Sequence, residues 1–185
     1  KDADLERAAN ACVWGALMNC GQVCTSIERV YVEEPIYQTF VGKVVDRVKQ
    51  LRQGSSGEEV ELGSMSSEEQ LKKVVAQVED AIDKGATVLT GGRANPSFPG
   101  LYYEPTVLVN VTHDMSIIQD ETFGPVIPIM KVANADEAVR LANDSRYGLE
   151  AIVFSRDRVK ARQMAQRLYT GTVCMNDGLV NYIIP

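Results

Sequence analysis

Helical periodicity alternates with short β-branched runs from one end of this 185-residue chain to the other, and that alternation constrains the fold more than any other feature. Leu5, Ala8, Ala9, Cys12, Val13, Ala16 and Leu17 recur at the spacing of one helical face, with Asp2 or Asp4 available as its N-cap. Residues 27–32 read as a strand. Glu34-Pro35 opens a second helix whose apolar face is Ile36, Phe40, Val41, Val44, Val45, Val48 and Leu51, and Gly54 is expected to close it. A third helix follows the capping pattern of Ser66-Ser67-Glu68-Glu69 and ends at Gly85. Further strands are expected at 87–90, 106–111, 126–132, 151–154 and 172–175, and further helices at 134–144 and 157–168. Asn134 and Glu137 form a candidate reciprocal cap for the first of these helices.

Such alternation specifies an α/β fold with a mostly parallel sheet covered by helices on both faces. No internal repeat or linker divides the chain, so residues 1–185 are read as a single domain. The apolar tail Tyr182-Ile-Ile-Pro185 should pack on something, and both ends look cut from a longer chain.

The charge balance narrows the partners. A formal net charge of −6 without a basic stripe argues against nucleic acid. No apolar run approaches the ~20 residues of a membrane span. Four irregularly spaced cysteines and a single histidine, His113, fit neither a disulfide framework nor a zinc site, so a reduced cytoplasmic protein with no metal is expected.

Two segments carry candidate chemistry. Cys24 follows Gly21-Gln22-Val23 in a tight connection between the first helix and the first strand, where a thiol can be held rigidly and its own N–H can face an oxyanion. A free thiol titrates near about 8.5, so a nucleophile there needs a base, a cation or backbone dipoles. The alternative is a small buried apolar residue, the reading that suits Cys12 and Cys174; Cys20 is a spectator thiol. The second segment, Asp120-Glu121-Thr122-Phe123-Gly124-Pro125, places acids and an aromatic in a turn at a strand end, where α/β folds bind ligands. A carboxylate there can accept two ribose hydroxyls and Phe123 can pack on a flat ring; the alternative is a polar turn with one buried ring. His113, in a loop, is a remote candidate for a base, and no G-x-G-x-x-G, phosphate loop or H-E-x-x-H occurs.

Together these segments resemble the aldehyde dehydrogenase superfamily. Gly21-Gln22-Val23-Cys24 is similar to its nucleophile motif and Glu121-Thr122-Phe123-Gly124-Pro125 to its cofactor motif. Asn143-Asp-Ser-Arg-Tyr-Gly-Leu149, Val153-Phe-Ser-Arg-Asp157 and Gly171-Thr-Val-Cys-Met-Asn176 match in the same order. The resemblance implies that Cys24 attacks an aldehyde carbon and passes through a thiohemiacetal and a thioester. It implies that Glu121 holds the nicotinamide ribose of NAD or NADP, that Phe123 borders it, and that Asn176 gives structural support near the site. Family chains are much longer. Their N-terminal dinucleotide-binding domain, oxyanion-hole asparagine, water-activating glutamate and oligomerising arm are therefore expected to lie outside these residues. So is a segment after Pro185. The expected partners are a small-molecule aldehyde, that missing domain and, as an option, further copies of the chain. The 185 residues alone are expected to be weakly active or inactive. The competing readings are a non-catalytic structural or oligomerising module and a cofactor-free thiol hydrolase.

Overall fold

The computed structural model describes residues 1–55 and 57–178; the expectation for Tyr182–Pro185 lies outside them. Helix α1 (Leu5–Leu17) is capped by Asp4, whose carboxylate accepts from Arg7 N. Asp2 is used differently: it accepts from the Ser155 hydroxyl at 2.7 Å and pairs with Lys160, and that hydroxyl above all brings its carboxyl down to about 2. Strand β1 (Val30–Glu33) begins later than the pattern suggests. Helix α2 (Glu34–Val48) has Pro35 in its first turn, where the missing N–H costs nothing. It stops at Val48, short of Gly54, because Gln50 N and Leu51 N turn back onto Arg47 O and Val48 O.

Helix α3 (Glu68–Asp83) starts at Ser67, whose hydroxyl accepts from Gln70 N, and Gly85 follows its C-cap with φ +99°. Strands β2 (Thr87–Thr90) and β3 (Thr106–Val109) precede a short helix α4 (Ser116–Gln119) that has no sequence signature. Next come β4 (Val126–Val132), α5 (Ala135–Asn143), β5 (Glu150–Val153), α6 (Arg158–Ala165) and β6 (Thr172–Met175). At α5 the reciprocal cap is offset: Asn134 accepts from Glu137 N, while the Glu137 carboxylate reaches Ala133 N.

Four strands form one sheet in the order β1-β4-β3-β2, with β2 antiparallel to β3 and the other pairs parallel. Strands β5 and β6 form a separate parallel pair. Burial explains the arrangement. Residues 106–109 of β3 and 126–130 of β4 are buried at consecutive positions, which requires cover on both faces of the sheet. Helices α1 and α2 pack against β4 on the way to a core holding Val44, Val74, Leu108, Ile127 and Ile129, each essentially without exposure. Among the described residues β1 and β5 each have one unpaired edge, and both line a groove of about 480 Å³. Asp2, Ser155 and Lys160 also line that groove, with Ser155 Oγ and Lys160 Nζ donating to the Asp2 carboxylate.

Candidate active site

The end of α1 does not continue into a helix. Asn19, Cys20 and Gly21 have φ of 50°, 58° and 70°, three successive left-handed residues of which only glycine adopts that conformation freely. Asn19 and Gln22 hold the turn by mutual bonds: Asn19 Nδ2 donates to Gln22 O and Gln22 Nε2 to Asn19 O. The remaining Gln22 oxygen accepts from Ser66 N at 2.7 Å, tying the turn to the start of α3.

The reversal sends two nearby thiols in opposite directions. Cys20 is buried and its Sγ donates to Gly63 O at 3.2 Å. Cys24 is exposed, in a turn closed by Ser26 N on Val23 O, and it lines the groove. Cys12, Cys20 and Cys174 are buried. Burial pushes Cys12 up to about 12 and Cys174 up to about 11, and it raises Cys20 as well, so all three stay protonated and unreactive.

The second segment forms a turn between α4 and β4. Thr122 and Gly124 are buried, Glu121 is exposed, and Phe123 has φ 53°. Side chains grip this turn from two directions. The Glu28 carboxylate accepts from Thr122 N at 2.7 Å and from Phe123 N at 3.0 Å. Gln70 Nε2 donates to Thr122 O at 2.7 Å and Phe123 O at 3.1 Å, so the side chain that a capping box would fold back onto Ser67 is diverted to the turn. Gln77 Nε2 adds a longer bond to Glu121 O, and Asp80 anchors the preceding α4 by accepting from Ser116 N and Oγ.

The two turns touch through their glycines. A Cβ on Gly21 would stand 2.1 Å from Gly124 O and 2.9 Å from Ala16 O, and one on Gly124 would stand 2.4 Å from Val74 Cγ2. The nucleophile candidate and the acidic turn are thus parts of one packed unit, with Cys24, Glu28 and Glu121 around the same groove. Among the described residues no side chain hydrogen-bonds to the Glu121 carboxylate, which leaves both oxygens for ligand hydroxyls.

His113 is not brought to this site. Its Nε2 lies 3.0 Å from the Tyr31 hydroxyl and its Nδ1 3.2 Å from Asp144, and burial lowers its pKa. Asn176, with φ 59°, accepts from Ser155 N and donates to Ser155 O, locking the ends of β5 and β6 together. Among the described residues no cluster of His, Cys, Asp and Glu is arranged to hold a metal, and no helix is long and apolar enough to cross a membrane. Glu28 and Gln70 are the residues that sequence reasoning passed over. The one available signal for Glu28 was a carboxylate beginning a strand rather than a turn.

Fold and site define an α/β domain in which an exposed cysteine on a left-handed turn backs onto a clamped acidic turn at a strand end. The chain belongs to the aldehyde dehydrogenase family, whose model matches residues 1–183. It is 42% identical over 174 residues to a succinate-semialdehyde dehydrogenase [NADP(+)] of Deinococcus radiodurans, covering 94% of this chain and 36% of the relative. Among solved structures, a succinate-semialdehyde dehydrogenase from Burkholderia pseudomallei superimposes with a TM-score of 0.93 at 38% identity, covering 97% of this chain and 37% of that one. A betaine aldehyde dehydrogenase from Staphylococcus aureus, solved in complex with NAD+, gives 0.92 at 38% identity, covering 96% and 36%. The chain therefore spans little more than a third of the proteins it matches.

Proposed function

We propose that residues 1–185 act as the nucleophile-bearing catalytic domain of an oxidoreductase that converts an aldehyde to a carboxylic acid with NAD+ or NADP+. The observation that carries this reading is the juxtaposition of the exposed Cys24 thiol and the unengaged Glu121 carboxylate on one groove, with Gly21 seated against Gly124. The relatives' names, succinate-semialdehyde and betaine aldehyde dehydrogenase, support an aldehyde as the substrate class. Four cysteines with no disulfide among them suit a reducing compartment such as the cytoplasm.

The residues present fit a nicotinamide dinucleotide: Glu121 has both oxygens available for ribose hydroxyls, and Phe123, partly buried, borders it on a turn held from two sides. When bound, that group supplies the hydride acceptor for oxidising an aldehyde carbon held on sulfur. The chain's own part is covalent capture. The Cys24 thiolate forms a C–S bond to the carbonyl carbon, and the Cys24 N–H donates to the oxygen that becomes negative, a contribution of about 3–4 kcal/mol for one such donor. Water then releases the acid from the thioester and restores the thiol. We assign the base for that step to the longer protein, because Glu28 has its oxygens committed to Thr122 N and Phe123 N. The 185 residues alone are then weakly active or inactive.

The test is reduced-cofactor absorbance on mixing aldehyde and NAD(P)+ with the intact protein and its Cys24→Ala variant. Wild-type turnover that vanishes in the variant supports the assignment; turnover that survives removes Cys24 from the mechanism. A second reading, an assembling structural module, rests on β1 and β5, each with one edge unpaired among the described residues and both lining the groove. Sedimentation of the 185-residue chain as a monomer would take away its support.

A further inference from the structure

The partly buried carboxylate of Glu28 is not explained by packing. It sits four residues after Cys24 in sequence, on a segment fixed to α1 by Ile27 N on Gly15 O. Its partners, the N–H groups of Thr122 and Phe123, lie on a distant part of the chain. A left-handed residue lets successive N–H groups converge on one side of the backbone, forming a cradle suited to an anion. Phe123 is that residue, with φ 53°, and Glu28 fills the cradle. A carboxylate is the side chain that fits: it has two acceptor oxygens and no donor, so it satisfies both N–H groups at once. Gln70 holds the carbonyl side of the turn through Thr122 O, which shares its peptide with Phe123 N, and through Phe123 O.

Removing this carboxylate from water is unfavourable. Burial raises the Glu28 pKa, the two N–H groups oppose the rise, and the neighbouring Glu121 charge adds to it. A group kept in place against its own desolvation is better explained by what it orients than by net stability.

We propose that Glu28 is a positioning residue: by bridging the Cys24 segment to the Thr122 and Phe123 N–H groups it sets the orientation of Glu121 and Phe123, and hence of the nicotinamide ribose, relative to the nucleophile. This rests on the reading of Glu121 and Phe123 as the cofactor contact. Both Glu28 oxygens are engaged by the turn's N–H groups, so it acts through the turn. Gln70 contributes from the carbonyl side, but it belongs to α3 and does not connect the turn to Cys24.

The experiment uses the intact protein with Glu28→Ala and the near-isosteric Glu28→Gln, which keeps one acceptor oxygen and turns a donor toward the second N–H. Three readouts are compared: NAD(P)+ binding by titration, amide hydrogen exchange at Thr122 and Phe123, and alkylation of Cys24 by iodoacetamide without cofactor. The expected result is at least tenfold faster exchange at both amides in Glu28→Ala and at least tenfold weaker NAD(P)+ binding. The Glu28→Gln protein should fall between, and Cys24 alkylation should stay within about twofold of wild type. Unchanged exchange in a folded Glu28→Gln protein overturns the bridge. Faster exchange with unaltered cofactor binding overturns the positioning role. Wild-type protein that binds neither NAD+ nor NADP+ overturns the underlying cofactor reading, an outcome seen before any substitution is made and hence distinct from the other two.

Discussion

The turn that carries Cys24 and the turn that carries Glu121 meet at a pair of glycines, yet they are held in shape by different means. The first is made by backbone: three left-handed residues in succession, and an approach at Gly21 too close for any side chain. The second is made by side chains that reach in from elsewhere, with Glu28 on its N–H edge, Gln70 and Gln77 on its carbonyls, and Asp80 on the helix before it. A shape enforced by exclusion fails at once when one carbon is added. A shape enforced by several hydrogen bonds gives way a bond at a time, because a typical bond contributes only about 1 kcal/mol net.

Substitutions along the two turns can break that contrast. The largest effect is expected at Cys24 itself: Cys24→Ala should lower turnover of the intact protein at least about 1000-fold, because the covalent path is lost rather than weakened. Its unfolding midpoint should hardly move, since the residue is exposed. Activity and urea denaturation measured together check both halves. Next is Gly21→Ala, where a methyl meets Gly124 O and a left-handed φ of 70° becomes strained. A loss of about 3 kcal/mol or more in urea unfolding is expected, within the range of severe single substitutions. A loss under about 1 kcal/mol would show that the backbone turn yields as readily as the side-chain one.

Smaller effects are expected on the other side. Gln70→Ala removes two hydrogen bonds to the Glu121 turn and should cost about 1–2 kcal/mol. A cost as large as that of Gly21→Ala would erase the distinction between the turns. The mildest effect concerns acid. The Lys84 ammonium first, then the Ser116 N–H and hydroxyl, bring Asp80 down to about 2. Its contribution is therefore complete above its unfolded pKa near about 4 and is lost as the pH falls toward 2. In Asp80→Asn that segment of the pH–stability curve should flatten; an unchanged acid limb would remove Asp80 from the support of α4.

Legibility in the sequence followed the range of the forces involved. Helix α3 could be read because Ser67 and its apolar stripe are local, and α2 because Pro35 marks its first turn. The early stop of α2 at Val48 was not readable, since Leu51 continues the apolar pattern while its backbone has already turned. Four-residue α4 is too short for any periodicity to appear. The pairing of β2 antiparallel to β3, and the separation of β5 and β6 from the main sheet, depend on partners that no local pattern names. At the site, Cys24 and Glu121 stood out through motif. Glu28 looked like a strand residue, since its partners are 94 and 95 residues away. The left-handed Asn19 and Cys20 leave no mark in composition at all.

The same left-handed turn also governs how the site meets oxidants. With Cys20 buried and bonded to Gly63 O, the neighbouring thiol in sequence is not presented to the exposed Cys24. A sulfenic acid formed on Cys24 by peroxide therefore has no disulfide with Cys20 to escape into. It is left open to capture by an external thiol, to closure on a backbone nitrogen as a sulfenamide, or to advance to the irreversible sulfinic state. Mass spectrometry of peroxide-treated protein should find a glutathione adduct on Cys24 when glutathione is present and the sulfinate or sulfenamide when it is not, with no Cys20–Cys24 disulfide in either case.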